Sequence, residues 1–149
     1  MINFNMSGLA ALQKRLESLS KEEATKAGQI ANRAGAAVLR KEVIKTAPNS
    51  PKTTEGEIRT RHTKGGGTRK ETHHKIVNSV KVKKTKGSKA TEVHNAVTIF
   101  GAYHATFVEF GSIRNTADPF MLRALNASQG SIIETISKVL NKQLVKRGA

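Results

Sequence analysis

The sequence predicts an α+β fold: a long small-residue-rich helix and a C-terminal helix packed on a small antiparallel sheet, the hairpin 76–100, with a flexible basic arm. Three observations point there. Apolar residues recur at helical spacing near both ends of the chain. They alternate at period two between residues 76 and 100. The stretch 48–75 between has almost no apolar mass. At 149 residues, length alone predicts a single domain, 1–149, with residues 48–75 as an arm or insertion within it. Aromatic content is only 4%, so the core must be built mainly from Ala, Val, Ile and Leu.

In chain order, Ile2 to Asn5 could form a short strand with Ile2 and Phe4 on one face. Ser7 is placed to cap a helix carrying Leu9, Leu12, Leu16 and Leu19, a single apolar stripe. Ser20 caps a second helix. Glu22 and Glu23 lie in its first turn, where the helix dipole favours them, and Glu23 stands at the capping-box spacing. This helix runs to about Ala47, where Pro48 stops it. Ala27-Gly28 and Ala34-Gly35 repeat along it and put small residues on one face. Each interior Gly costs about 1 kcal/mol against Ala. Tolerating two implies close packing there, against a sheet or helix of the same chain in preference to another subunit.

From Pro48 to His74 the composition changes to prolines, Thr and a triple Gly, which predicts a mobile arm or lobe. Ile76 to Thr85 alternates, with Ile76, Val80 and Val82 on one face and Lys81 and Lys83 on the other. Lys86 to Ala90 reads as a turn. Thr91 to Phe100 alternates again through Val93, Val97 and Ile99, giving a hairpin with one buried and one wet, basic face. Tyr103 and Phe107 stand four apart, as on a short helix that Gly111 ends. Asp118 caps, and Pro119 opens, a last helix whose apolar stripe extends to Leu144.

The net charge of +15 makes a polyanion or an acidic protein surface a natural partner. The excess is uneven. Residues 48–90 carry 12 basic and 3 acidic side chains, more than half of the surplus. The candidate contacts are Arg59, Arg61, Lys64, Arg69, Lys70, Lys75, Lys81, Lys83, Lys84, Lys86 and Lys89. Their density suits salt-dependent phosphate contact, and no aromatic is interleaved for base stacking, so any nucleic-acid binding would be independent of sequence.

Little else carries chemistry. There is no cysteine, and no signal peptide or membrane-spanning run is visible, which fits synthesis in the cytoplasm. The five histidines show no HExxH-like pair, and adjacent His73 and His74 diverge, so no metal or cofactor is expected. The acids are scattered. Glu109, set between aromatics, reads as a structural carboxylate paired with a base such as Arg114 or Arg123, and no catalytic residue is expected. The triple Gly lacks the spacing of a phosphate loop and reads as a hinge.

The segment Ile99–Leu125 holds Tyr103 and four of the five Phe residues. Tyr103, Phe107, Val108, Glu109, Phe110 and Gly111, followed by Pro119, Phe120 and Leu122, form its pattern. The chain also carries Lys45-Thr46-Ala47-Pro48 after the small-residue helix, a turn at Thr54-Glu55-Gly56, and Ile76-Val77-Asn78-Ser79-Val80 as the strand that follows. In these places the chain resembles the neck, tail-completion or head–tail joining proteins of lambda-like tailed phages. It departs from their pattern in the long, basic stretch from Gly56 to Lys75.

The resemblance implies a non-enzymatic virion part at the head-to-tail interface, made in the host cytoplasm. It implies a homo-oligomer, commonly a ring around the DNA channel, with other phage neck and tail proteins as partners and no membrane. The anchors Tyr103, Phe107, Glu109, Phe110, Gly111, Pro119 and Phe120 would then seal the core or supply subunit contacts. A free, sequence-independent nucleic-acid-binding module using the basic arm is the alternative. A small hydrolase or nuclease resting on His73, His74 and His94 is a third and weaker reading.

Overall fold

The computed structural model describes residues 6–51, 54–85 and 92–148. The elements run α1 (Met6–Glu17), α2 (Lys21–Thr46), β1 (Glu57–His62), β2 (Thr68–His73), α3 (Ile76–Ser79), β3 (Val80–Lys84), β4 (Asn95–Ile99), α4 (His104–Phe110) and α5 (Phe120–Lys146). The architecture is α+β as the sequence predicts, with two separate two-stranded sheets, β1–β2 and β3–β4. The expected strand at Ile2–Asn5 and the turn at Lys86–Ala90 lie outside the described residues.

The chain divides into two compact units. The first comprises Met1–Leu39, Val82–Val97 and Ala127–Ala149; the second comprises Arg40–Lys81 and Thr98–Asn126. In the first unit, the Ser20 hydroxyl accepts the Glu23 N–H at 3.3 Å, so Ser20 caps α2 as expected, and it donates to the Glu23 carboxylate at 3.0 Å, which turns Glu23 back onto the cap's hydroxyl. Ser7, expected as a cap, lies inside α1, which is already helical at Met6.

The small face of α2 does what its composition implies. Ala27 and Ala31 are buried. A Cβ on Gly28 would lie 3.6 Å from Val93, and one on Gly35 would lie 2.6 Å from Ile136 of α5. The close neighbours are thus a strand-side residue and a helix of the same chain. Asn32 donates its amide to the Val93 carbonyl at 2.7 Å, and Arg15 of α1 reaches Asn141 of α5 at 2.8 Å.

In the second unit Phe120, Val43, Val80, Ile76, Ala102, Ala105 and Ala124 are buried. Thr46 donates to the Phe120 carbonyl at 3.1 Å, and Arg40 donates to the Val80 carbonyl at 2.8 Å. These bonds hold the end of α2 to the start of α5 and to β3.

Two sequence expectations need correction. First, the strand expected from Ile76 begins only at Val80, because Ile76–Ser79 is a turn of helix. Ile76 and Val80 are both buried, and a separation of four puts two residues on one face in either conformation. Local bonds decide for helix. The Glu55 carboxylate accepts the Lys75 N–H at 2.7 Å and the Asn78 amide at 3.0 Å, and the Ser79 hydroxyl donates to the Lys75 carbonyl at 2.8 Å. Second, the arm carries more structure than its composition predicts. β1 and β2 pair antiparallel from Glu57↔His73 to His62↔Thr68. The triple Gly forms their turn, closed by Thr63 N–H to the Gly67 carbonyl at 2.8 Å.

Candidate functional site

The aromatic segment lies in the second unit and splits into core and surface. Phe120 is fully buried, whereas Tyr103, Phe107 and Phe110 are 45%, 50% and 79% exposed. Tyr103 precedes α4, and the three rings recur at spacings of four and three, one outward face of that helix. Gly111 ends α4 with φ +79°, as the sequence predicts. A side chain there would be strained, and its Cβ would lie 3.0 Å from the Ala117 backbone nitrogen. The loop beyond it is tied down. Ser112 and Asn115 exchange backbone hydrogen bonds, and the Asp118 N–H reaches the Val108 carbonyl at 2.7 Å. This loop presents Ile113 fully to solvent.

Glu109 has a different partner from the one expected. Its carboxylate accepts the N–H of Met121 at 2.9 Å and of Leu122 at 3.3 Å. It therefore caps α5 from α4, satisfying amide groups that the helix itself leaves open. The Asp118 carboxylate, expected to be the cap, pairs instead with Arg123. The Glu-Phe-Gly to Pro-Phe pattern thus has a local cause. Glu109 caps, Gly111 turns the chain, half-buried Pro119 lends its carbonyl to the Arg123 N–H at 3.0 Å, and Phe120 anchors α5 in the core.

The basic residues are only partly brought together. Arg61, Arg69 and Lys70 line an open groove of about 800 Å³ with Tyr103, Glu109 and Phe110. Arg61 and Arg69 are direct cross-strand partners, a like-charge pairing that costs energy unless an anion relieves it. Arg61 also lies 5.3 Å from the centre of the Tyr103 ring and 3.6 Å from Glu71. Arg59 is held by Glu57 at 2.8 Å, and Lys81 lies over Phe100 at 5.2 Å. Lys64 is in the exposed turn of the hairpin, and Lys75 precedes α3. Lys83 and Lys84 belong to the first unit. Lys86 and Lys89 lie outside the described residues.

The histidines separate. His73 stacks on His104 with ring centres 4.6 Å apart, and both Nδ1 atoms are buried without a hydrogen-bond partner. Burial, together with the neighbouring His73 and Arg59, holds His104 below its ordinary pKa. His74 instead meets Glu55 at 2.7 Å. That contact, with the bonds from Lys75 and Asn78, lowers the Glu55 pKa to about 2. His94 belongs to the first unit and faces Glu92 at 3.5 Å. Among the described residues, no group of three or more His, Cys, Asp or Glu side chains could hold a metal. Among them, too, no helix is long and apolar enough to cross a membrane. The Glu55 clasp, the histidine stack and the Ile113 loop have no sequence signature, since each joins residues by tertiary contact or by exposure alone.

The profile of the family described as "Bacteriophage HK97-gp10, putative tail-component" matches residues 10–111, more than half of the chain. The chain belongs to this HK97-gp10-like family. The match takes in the small-residue helix, the basic hairpin and the segment through Gly111, and it ends before Pro119. The HK97-gp10-like chain is accordingly a structural virion protein of bacteriophage. No curated protein and no solved structure matches it significantly.

Proposed function

We propose that this HK97-gp10-like protein completes the neck or tail at the head-to-tail junction, as one subunit of a ring around the DNA channel. The observation that carries this reading is the family match through the aromatic-Glu-Phe-Gly segment. The exposed rings of Tyr103, Phe107 and Phe110 suit a part that is buried only on assembly. The cationic groove of Arg61, Arg69 and Lys70 suits an acidic neighbour or passing DNA. No step of this role needs a catalytic group. Deleting the gene in the phage or prophage that encodes it and imaging the lysate tests the reading. Filled heads beside complete, unattached tails are expected; normal infectious particles would sink it.

The cross-strand arginines support a second reading, sequence-independent nucleic-acid binding by the hairpin. Its signature is duplex affinity that collapses with salt, with a slope lowered by about 0.9 for each phosphate-contacting cation removed. Binding unchanged by replacing Arg61, Arg69 and Lys70 together with Gln would remove it.

A further inference from the structure

We infer that the groove beside β2 takes an extended acidic segment of a neighbouring protein, which pairs with the free edge of β2 as a third strand. The inference rests on the reading of the chain as a junction part, and it names the chemistry of the neighbour that meets the cationic groove.

β2 has a partner on one side only, because the β1–β2 sheet has two strands. The turn shows which main-chain groups face which side. The Thr63 N–H bonds the Gly67 carbonyl, and bonded pairs alternate along an antiparallel ladder. Arg61–Arg69 and Arg59–Glu71 are therefore bonded pairs, and Lys70 and Thr72 turn their N–H and C=O groups away from β1. Consecutive residues from Arg69 to Thr72 line the groove of about 800 Å³. Their side chains alternate between the two faces of the sheet, so a cavity that touches all of them runs along the strand's outer edge. Its far wall includes Ile99, Ala102, Tyr103 and Phe110, and both walls belong to the second unit.

Charge selects the occupant. Exposed strand edges are commonly guarded by charge against pairing. Here the guard is of one sign. Arg61 shares Glu71 at 3.6 Å, and Glu109 spends both carboxylate oxygens on the N–H groups of Met121 and Leu122. Among the described residues, no carboxylate pairs with Arg69 or Lys70. Such an edge repels basic segments and admits acidic ones. Arg69 and Lys70 are adjacent and point to opposite faces, so two successive acidic residues on an added strand would meet one each. An apolar residue beside that acidic pair would cover the exposed Phe110 ring in the far wall. Duplex DNA offers phosphates, but neither a strand edge nor an apolar side chain, and Glu71 would oppose it. Strand addition uses all three features of the groove: open main-chain groups, unpaired cations and an apolar wall.

The probe is a fluorescent peptide with two central glutamates flanked by valines. Anisotropy should show saturable binding, and replacing Arg69 and Lys70 together with Gln should weaken it about tenfold. In the free protein the Lys70 and Thr72 amides should exchange with solvent quickly. The probe should slow them about tenfold or more, while the Arg69 amide, already bonded across to β1, should change little. Thr72→Pro removes an outward N–H and no β1–β2 bond, so the hairpin should persist and binding should fall about fivefold or more. Methylating the peptide's own backbone nitrogens should cost as much, which tests the pairing even where that variant fails to fold. No saturable binding up to about 1 mM, or equal binding of a peptide with lysine in place of glutamate, overturns the inference. Binding that leaves the Lys70 and Thr72 amides unprotected also overturns it, by reducing the contact to charge alone. A DNA duplex that engages Arg69 and Lys70 where the peptide does not assigns the groove to nucleic acid instead. Normal infectious particles after gene deletion are a separate result, which removes the junction reading and leaves the peptide result standing.

Discussion

Glu109 shows how much one side chain can organise in the second unit. Its carboxylate closes two amide groups of α5 from a neighbouring helix, so Glu109→Ala should cost about 0.5–2 kcal/mol, the range of a lost N-cap. Urea titration measures it, and Glu109→Gln should recover part of the loss. His104 contributes to the pH response near neutrality. Its folded pKa lies below the ordinary 6.5, so its stabilising share is complete above that value and is lost as pH falls toward the folded pKa. Unfolding midpoints measured between pH 7 and 5 should therefore drop, and His104→Phe, which keeps a ring without a titrating nitrogen, should flatten the drop. Glu55 acts lower on the scale. With its pKa depressed to about 2, its contribution is intact above the ordinary 4.5 and disappears as pH falls toward 2. Glu55→Gln should start acid unfolding at a higher pH.

Among the elements, the helices were the most legible. Ser20 and Glu23 mark the start of α2, Pro48 follows its end, and the Ala-Gly repeat anticipates close neighbours that prove to be Val93 and Ile136. Two glycines of these helices separate packing from propensity. Gly35→Val drives a branched side chain into Ile136, already 2.6 Å from the Cβ position, and should destabilise by about 1–3 kcal/mol. Gly130→Ala adds a methyl to open space inside α5 and should stabilise by up to about 1 kcal/mol. Thermal denaturation of the two variants reads both signs. The strands were less legible. β1 and β2 offer Ile58 as their one large apolar residue, and it is exposed; the pairing is built from Arg, Thr and Glu, so no hydrophobic alternation marks it. At Ile76 the spacing to Val80 fits both periods, and the bonds from distant Glu55, together with the Ser79–Lys75 bond, select helix. The exposed aromatic face could be read as a short helix, but nothing in its spacing distinguishes Phe120, which is buried, from Phe110, which is not.

For the whole molecule, charge is the dominant quantity. With 26 basic against 11 acidic side chains, the folded chain repels itself, and salt should relieve it. The thermal midpoint should rise between low salt and 0.1–0.2 M NaCl, over which the screening length falls to about 10 Å or less. A midpoint that falls instead would show that ion pairs such as Arg61–Glu71 outweigh the repulsion. The same surplus suits the contact with DNA or an acidic neighbour proposed above. The turn of the β1–β2 hairpin also offers an experimental handle. Neither Gly65 nor Gly66 has a neighbour within 4 Å of where a side chain would start, and the closing Thr63–Gly67 bond lies outside the tip. A short epitope inserted between them should leave the strands paired and carry an antibody label. Gold-tagged antibody on intact particles would then show where along the virion, and on which surface, the hairpin is displayed.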